Sequence, residues 1–153
     1  MTKNQASILK TEVIRTGIVT SARVNFTKCH GPSQLLKILG MMYDAVKRKC
    51  SLPPKKVAKY LGRIHEILLT NQTTSKELER LVGNLVWASY VEPWGRPFLS
   101  ALSSKINRQK PYASVPITGY IKTSLIIWQA LLKRNRGLSY DYILGKLELG
   151  RDA

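Results

Sequence analysis

The sequence predicts an α+β fold: a small sheet with a short helix, followed by a mainly helical lobe. Three observations predict it. Before residue 52, RVNFTK (23–28) alternates as a strand does, and LLKILGMMYD and AVKRKCSL read as two further short strands forming a hairpin. After Pro53 the apolar residues change to helical spacing. The change is punctuated by Pro53-Pro54 and later by the capping box Thr74-Ser75-Lys76-Glu77, both signs of helix starts.

In chain order, residues 5–16 form a short helix, with Ile8, Leu9, Val13 and Ile14 on one side and Gly17 to stop it. HGPS (30–33) is a turn before the two strands. Val57, Tyr60, Leu61, Ile64, Ile67 and Leu68 define the next helix, which Asn71-Gln72 breaks. Leu78, Leu81, Val82, Leu85 and Val86 define a second, ended by Pro93. Its mid-helix Gly83 predicts a close helix approach. Phe98, Leu99 and Leu102 begin a third helix, and the polar loop NRQKPYAS follows. Ile117, Ile121, Leu125, Trp128 and Leu132 mark a fourth, closed by Gly137. The tail YDYILGKLELGRDA is ambiguous, and there is no internal repeat.

Charge bounds the function. The 153 residues carry 25 Lys and Arg against 9 acids, a net charge of +16, so the default partner is a polyanion. The excess is concentrated: no acid occurs between Glu92 and Asp141, an interval holding Arg96, Lys105, Arg108, Lys110, Lys122, Lys133, Arg134 and Arg136. Cys29 and Cys50 make no disulfide framework and suit a reducing, intracellular setting, cytoplasmic or nuclear. With His30 and His65 they lack zinc-ligand spacing. The N-terminus does not read as a signal peptide, and the longest apolar run, Leu125 to Leu132, is too short for a membrane span.

Catalytic chemistry is not legible. There is no D-x-D, no G-x-x-x-x-G-K and no Ser/His/Asp arrangement, and the one E-x-E, Glu77 and Glu79, suits a helix start. No catalytic residue, metal ligand or cofactor is therefore assigned. What remains is a binding surface. Tyr90, Trp94, Tyr112 and Tyr120 are interleaved with Arg96, Arg108, Lys110 and Lys122, a pattern in which aromatics stack bases and cations neutralise phosphates. Trp87 and Trp128 are expected in the core. Trp94 is open to either role. In PWGRP (93–97), the prolines fix φ, Gly95 permits a positive φ, and Arg96 is held rigidly.

The ordered series GIVTSARVNFTKCHGPSQ, LLKILGMMYD, SLPPKKVAKYLGRI and SKELERLVGNLVWASYVEPWGRPFLSAL resembles the reverse transcriptases of retrotransposons, most closely the DIRS-like group that carries a tyrosine recombinase. Asn25-Phe26-Thr27-Lys28-Cys29 matches the segment that follows the catalytic hairpin. Ile38-Leu39-Gly40 matches the primer-grip hairpin, with Ile38 in place of the usual aromatic. Leu52-Pro53-Pro54-Lys55 matches the start of the thumb. Leu81, Gly83, Leu85, Trp87, Ala88, Pro93-Trp94-Gly95-Arg96-Pro97 and Phe98-Leu99 match a thumb motif, and ITGYIKTSLIIWQALLKRNRGLS looks like the connection toward an RNase H domain. The resemblance implies a C-terminal palm remnant over 1–51, a helical thumb over 52–109 and a connection over 110–153.

It also implies that Lys28 lies near nucleotide phosphates, that Leu39 and Gly40 meet the primer end, and that the first thumb helix, with Lys55 and Lys56, tracks the duplex backbone. Partners would be RNA or DNA as primer–template duplex, with the missing palm, fingers or RNase H portions, and no membrane. The family's catalytic aromatic–x–Asp–Asp turn is absent, so Mg²⁺ is implied only for the parent polymerase and this chain alone is expected to be inactive. An alternative is a captured fragment serving as a structural RNA-binding subunit of a ribonucleoprotein. A third is a helix-turn-helix DNA reader over 54–92, in which only Arg80 and Asn84 of the second helix could read bases.

Overall fold

The computed structural model describes residues 3–20, 31–140 and 142. The fold is α+β. The expected strand over 23–28, with Lys28, Cys29 and His30, lies outside the described residues, as does nearly all of the tail. Helix α1 spans Lys3–Val19 and runs through Gly17, which therefore does not stop it. A glycine weakens a helix without breaking it when no competing turn or cap follows.

The sheet is antiparallel, made of β1 (Leu35–Ile38), β2 (Met41–Asp44), β3 (Lys49–Ser51) and, from the far end of the chain, β6 (Leu138–Ser139), in the order β1-β2-β3-β6. LLKILGMMYD is thus not one strand but a complete hairpin. Ile38 pairs with Met41, and the two loop residues, Leu39 (φ 47) and Gly40 (φ 78), are both left-handed. Two left-handed residues match the twist of the flanking strands, which is why so short a reversal is possible here. The next turn is organised by Asp44, whose Oδ1 accepts from the Val46 and Lys47 amides at 3.0 and 2.9 Å.

Helix α2 (Pro54–Thr70) begins as expected, with Pro54 in the first turn where the missing N–H is harmless. Tyr60, Ile64 and Ile67 are buried, and Asn71 ends the helix in the left-handed region at φ 51. β4 (Gln72–Thr74) follows and pairs antiparallel with β5 (Ser114–Pro116). Helix α3 (Ser75–Ala88) carries the predicted capping box. Thr74 Oγ1 accepts from the Glu77 amide at 3.2 Å, while Glu77 Oε2 accepts from the Thr74 amide at 3.3 Å and the Thr73 hydroxyl at 3.1 Å. These bonds, the Thr74 amide first, hold the Glu77 carboxyl below the usual range.

Helix α3 ends at Ala88, well before Pro93. PWGRPF (93–98) is a 3₁₀ turn, followed by α4 (Leu99–Ser103) and, after a loop, α5 (Gly119–Arg134). Asn135, at φ 38, caps α5, so Gly137 does not close it. Gly137 (φ 70) instead lets the chain pass against the Cys50 carbonyl, where a Cβ would collide. Gly83 faces open space, so it serves no close helix approach. Gly95 is not at positive φ. A Cβ there would overlap the Trp128 indole, so the glycine is required for backbone contact with that ring.

One apolar core joins the parts. Met41 and Cys50 come from the sheet, Leu52, Ile64, Leu78, Leu81, Leu85 and Leu102 from the middle of the chain, and Ile117, Leu125, Trp128 and Leu132 from its last third. Helix α5 packs on α2, α4 and the 3₁₀ turn. Two polar clips tie the sheet to the helices. The Asn135 side chain accepts from the Leu52 amide at 3.3 Å and donates to the Leu52 carbonyl at 3.0 Å. Buried Glu92 accepts from the Gly137 amide at 3.2 Å.

Candidate nucleic-acid interface

The fold sorts the sequence-predicted residues into two groups. The first lies where the β1–β2 turn meets the start of α2 and the end of α3. Gly40 is the point of convergence. A Cβ added there would collide with Lys56 Nζ and lie 3.9 Å from Trp87 Nε1. Lys56 Nζ stands 5.7 Å from the centroid of the Trp87 ring. Trp87 packs edge-on against Tyr90, with centroids 5.6 Å apart and planes at 63°. Tyr90 carries the Arg96 guanidinium at 5.7 Å. The result is a row in which two adjoining rings are flanked by two cations, Lys56, Trp87, Tyr90, Arg96, with the hairpin tip at one end.

Each member is placed by a local cause. Lys56 is in the first turn of α2. Trp87 lies in the last turn of α3 and Tyr90 in the turn just after it, where the Tyr90 amide donates to the Trp87 carbonyl at 3.3 Å and keeps the two rings on one side. Arg96 is carried by the 3₁₀ turn, whose backbone is pressed onto Trp128. Trp87 was expected in the core. It is partly buried, packing against the core while forming the floor of the row, and Trp128 is fully buried as expected. Trp94 points away from the core, 74% exposed. Lys55 and Leu39 are exposed too, and Leu39 stands at the hairpin tip.

Trp87 Nε1, like Trp128 Nε1, is buried and has no hydrogen-bond partner among the described residues. A buried N–H left unpaired is costly, and here it lies beside an ammonium and a turn stripped of a side chain.

The second group sits near the other end of α3, with Lys76 about 16 Å from Trp87 along the axis at ~1.5 Å per residue. Lys76 Nζ donates to Tyr112 Oη at 3.2 Å and stands 5.1 Å from that ring's centroid. Arg108 Nε pairs with Glu79 Oε1 at 3.2 Å. Lys110 is exposed on the same loop. Lys122 donates to Asn71 Oδ1 at 3.1 Å, joining α5 to the end of α2. Arg108, Lys110 and Lys122 therefore do not join Lys56 and Arg96 in one patch. Lys28 lies outside the described residues. The pairing of Tyr90 with Arg96 was legible only as interleaving, and the part of Trp87 was missed. Its signal was the i, i+3 spacing to an aromatic in an otherwise polar stripe.

Among the described residues no group of three or more His, Cys, Asp or Glu could hold a metal ion. No helix among them is long and apolar enough to cross a membrane. Comparison with protein-family models, with curated proteins and with solved structures finds no match to this chain.

Proposed function

We propose that the chain grips a nucleic-acid backbone, as the thumb and connection portion of a reverse-transcriptase-like polymerase, and does no chemistry alone. The observation that carries this reading is the row Lys56–Trp87–Tyr90–Arg96 beginning at Gly40, with the unpaired Trp87 N–H beside Lys56. Cations flanking a pair of rings meet the two demands of a strand, charge neutralisation and stacking. The order of the motifs in the sequence adds the polymerase context, and RNA or DNA primer–template duplex is the ligand it favours.

The test is an oligonucleotide titration at several salt concentrations. Affinity should fall steeply with salt, with a log–log slope of about −0.7 to −0.9 per phosphate contacted. Replacing Lys56 and Arg96 by Ala should make that slope shallower by about two such units. Tyr90→Ala should weaken binding by about 1–3 kcal/mol with the slope retained. A flat salt response in the parent chain, or an unchanged slope in the double variant, overturns the reading.

A second reading, the structural subunit of a ribonucleoprotein, is favoured by α1. Ile8, Leu9, Val13, Ile18 and Val19 of this helix are all exposed, a surface that suits burial in an assembly. It predicts self-association of the isolated chain in sedimentation runs at moderate salt, where the first reading predicts a monomer.

A further inference from the structure

A cleft of about 770 Å³ opens between the second half of α2 and the first half of α3, with Tyr112 and Ser114 at one wall. It is separate from the row at Gly40. Arg63 enters it from α2 and Arg80 from α3. Each arginine has a glutamate three residues away on its own helix, Glu66 and Glu77, the spacing that ordinarily makes a surface ion pair. Neither pair forms. Glu77 is turned back into the capping box, where the Thr73 hydroxyl and Thr74 amide hold its carboxylate. Arg63 and Arg80 are left without a hydrogen bond or ion pair among the described residues, and both line the one cleft. Ile67 and Leu81 supply apolar lining, and the Tyr112 ring is 74% exposed.

From this arrangement we infer that the α2–α3 cleft is a binding site for a terminal phosphate monoester attached to a planar ring: a nucleoside monophosphate, or the monophosphorylated end of a strand. Planar forks match phosphate oxygens two at a time. A terminal monoester carries a charge of about −1.5 to −2 at pH 7, matching two guanidinium charges, whereas an internal diester carries one. Tyr112 provides the flat partner for the ring. The volume suits a small ligand rather than a duplex. Glu66 and Glu77 are the acids that face the site. Lys76 is committed to Tyr112, donating to its hydroxyl and standing over one side of its ring.

The experiment is calorimetric titration of the full chain with adenosine monophosphate, adenosine and inorganic phosphate at pH 7.5. The monophosphate should bind one per chain, at least tenfold tighter than either part alone. Arg63→Lys and Arg80→Lys keep the charge and lose the fork; each should weaken binding at least fivefold, with melting temperature unchanged. Glu66→Gln should tighten it severalfold. Affinity should also fall between pH 7.5 and pH 5, because the second phosphate proton titrates near ~6. Hexanucleotides with 5′-phosphate or 5′-hydroxyl ends, tested on the Lys56→Ala/Arg96→Ala variant, separate the sources: a tenfold preference for the phosphate assigns the strand end, and none assigns the free mononucleotide. The inference is overturned if inorganic phosphate binds as well as the monophosphate, or if both lysine variants bind normally. Retained monophosphate binding in the Lys56→Ala/Arg96→Ala variant, with strand binding lost, shows that the two sites stand or fall independently.

Discussion

Two single residues carry a measurable signature of how the fold is held. Glu92 is 5% exposed, and burial pushes its carboxyl pKa up, while the amides of Gly137 and Arg136 and the Arg136 charge pull it down. A folded pKa above the unfolded one means that the folded state holds the proton more tightly. The stabilisation is complete below the unfolded carboxylate range and is lost as pH rises through the folded value. Glu92→Gln keeps an acceptor for Gly137 and removes the titration. Its melting temperature should match the parent's near pH 4 and exceed it increasingly toward neutrality; parallel curves would show that Glu92 is not the titrating clip. Leu39 is the second case. It is a leucine at φ 47, 81% exposed, at a place where asparagine is favoured. Backbone strain of order 1 kcal/mol held at an exposed tip points to use of that side chain. Leu39→Asn should raise stability by about 1 kcal/mol in denaturant unfolding and weaken oligonucleotide binding, a trade that an idle turn would not show.

Among the elements, the helices were legible and the turns were not. Helices α2 and α3 could be read because one apolar stripe and one cap chemistry each pointed to the same answer. The sheet was harder. Its strands span two to four residues, too few for a period to register, and β6 pairs with β3 across most of the chain's length. Glycines misled most, because a sequence does not say whether a missing Cβ faces solvent or a ring. Gly83 on α3 and Gly95 in the 3₁₀ turn both lie outside the positive-φ region, yet the first meets nothing and the second meets the Trp128 indole. The same substitution should therefore have opposite signs. Gly83→Ala should stabilise by about 0.5–1 kcal/mol through helix propensity alone. Gly95→Ala should destabilise by about 1–3 kcal/mol, since a buried ring cannot yield without displacing α5. Chemical denaturation of the two variants reads both. The candidate site was half legible for the same reason: charge and aromatic content are visible in the sequence, but the meeting of Lys56 with Trp87 depends on how α2 packs beside α3.

For the molecule as a whole, the decisive quantity is the +16 net charge. Core packing through α2, α3 and α5 has to hold together a surface that repels itself. Local pairs relieve little of it. Arg108 with Glu79 and Arg15 with Glu12 are both exposed, where such pairs contribute about 0–1 kcal/mol. Screening by salt should raise the melting temperature, the reverse of what a fold held by surface ion pairs would show. A bound polyanion should do more. Ligand that binds only the folded state at 100 times its Kd adds about 2.7 kcal/mol, or roughly 5–10 °C for a chain of this size. Melting with a short oligonucleotide at low ionic strength should show that rise. Adding salt beside the oligonucleotide should then shrink it, because the ions that screen the repulsion also compete for the phosphate contacts. Salt alone up and salt with ligand down is a crossing that non-specific charge screening cannot produce, and its absence would mean that the cationic surface meets no strand.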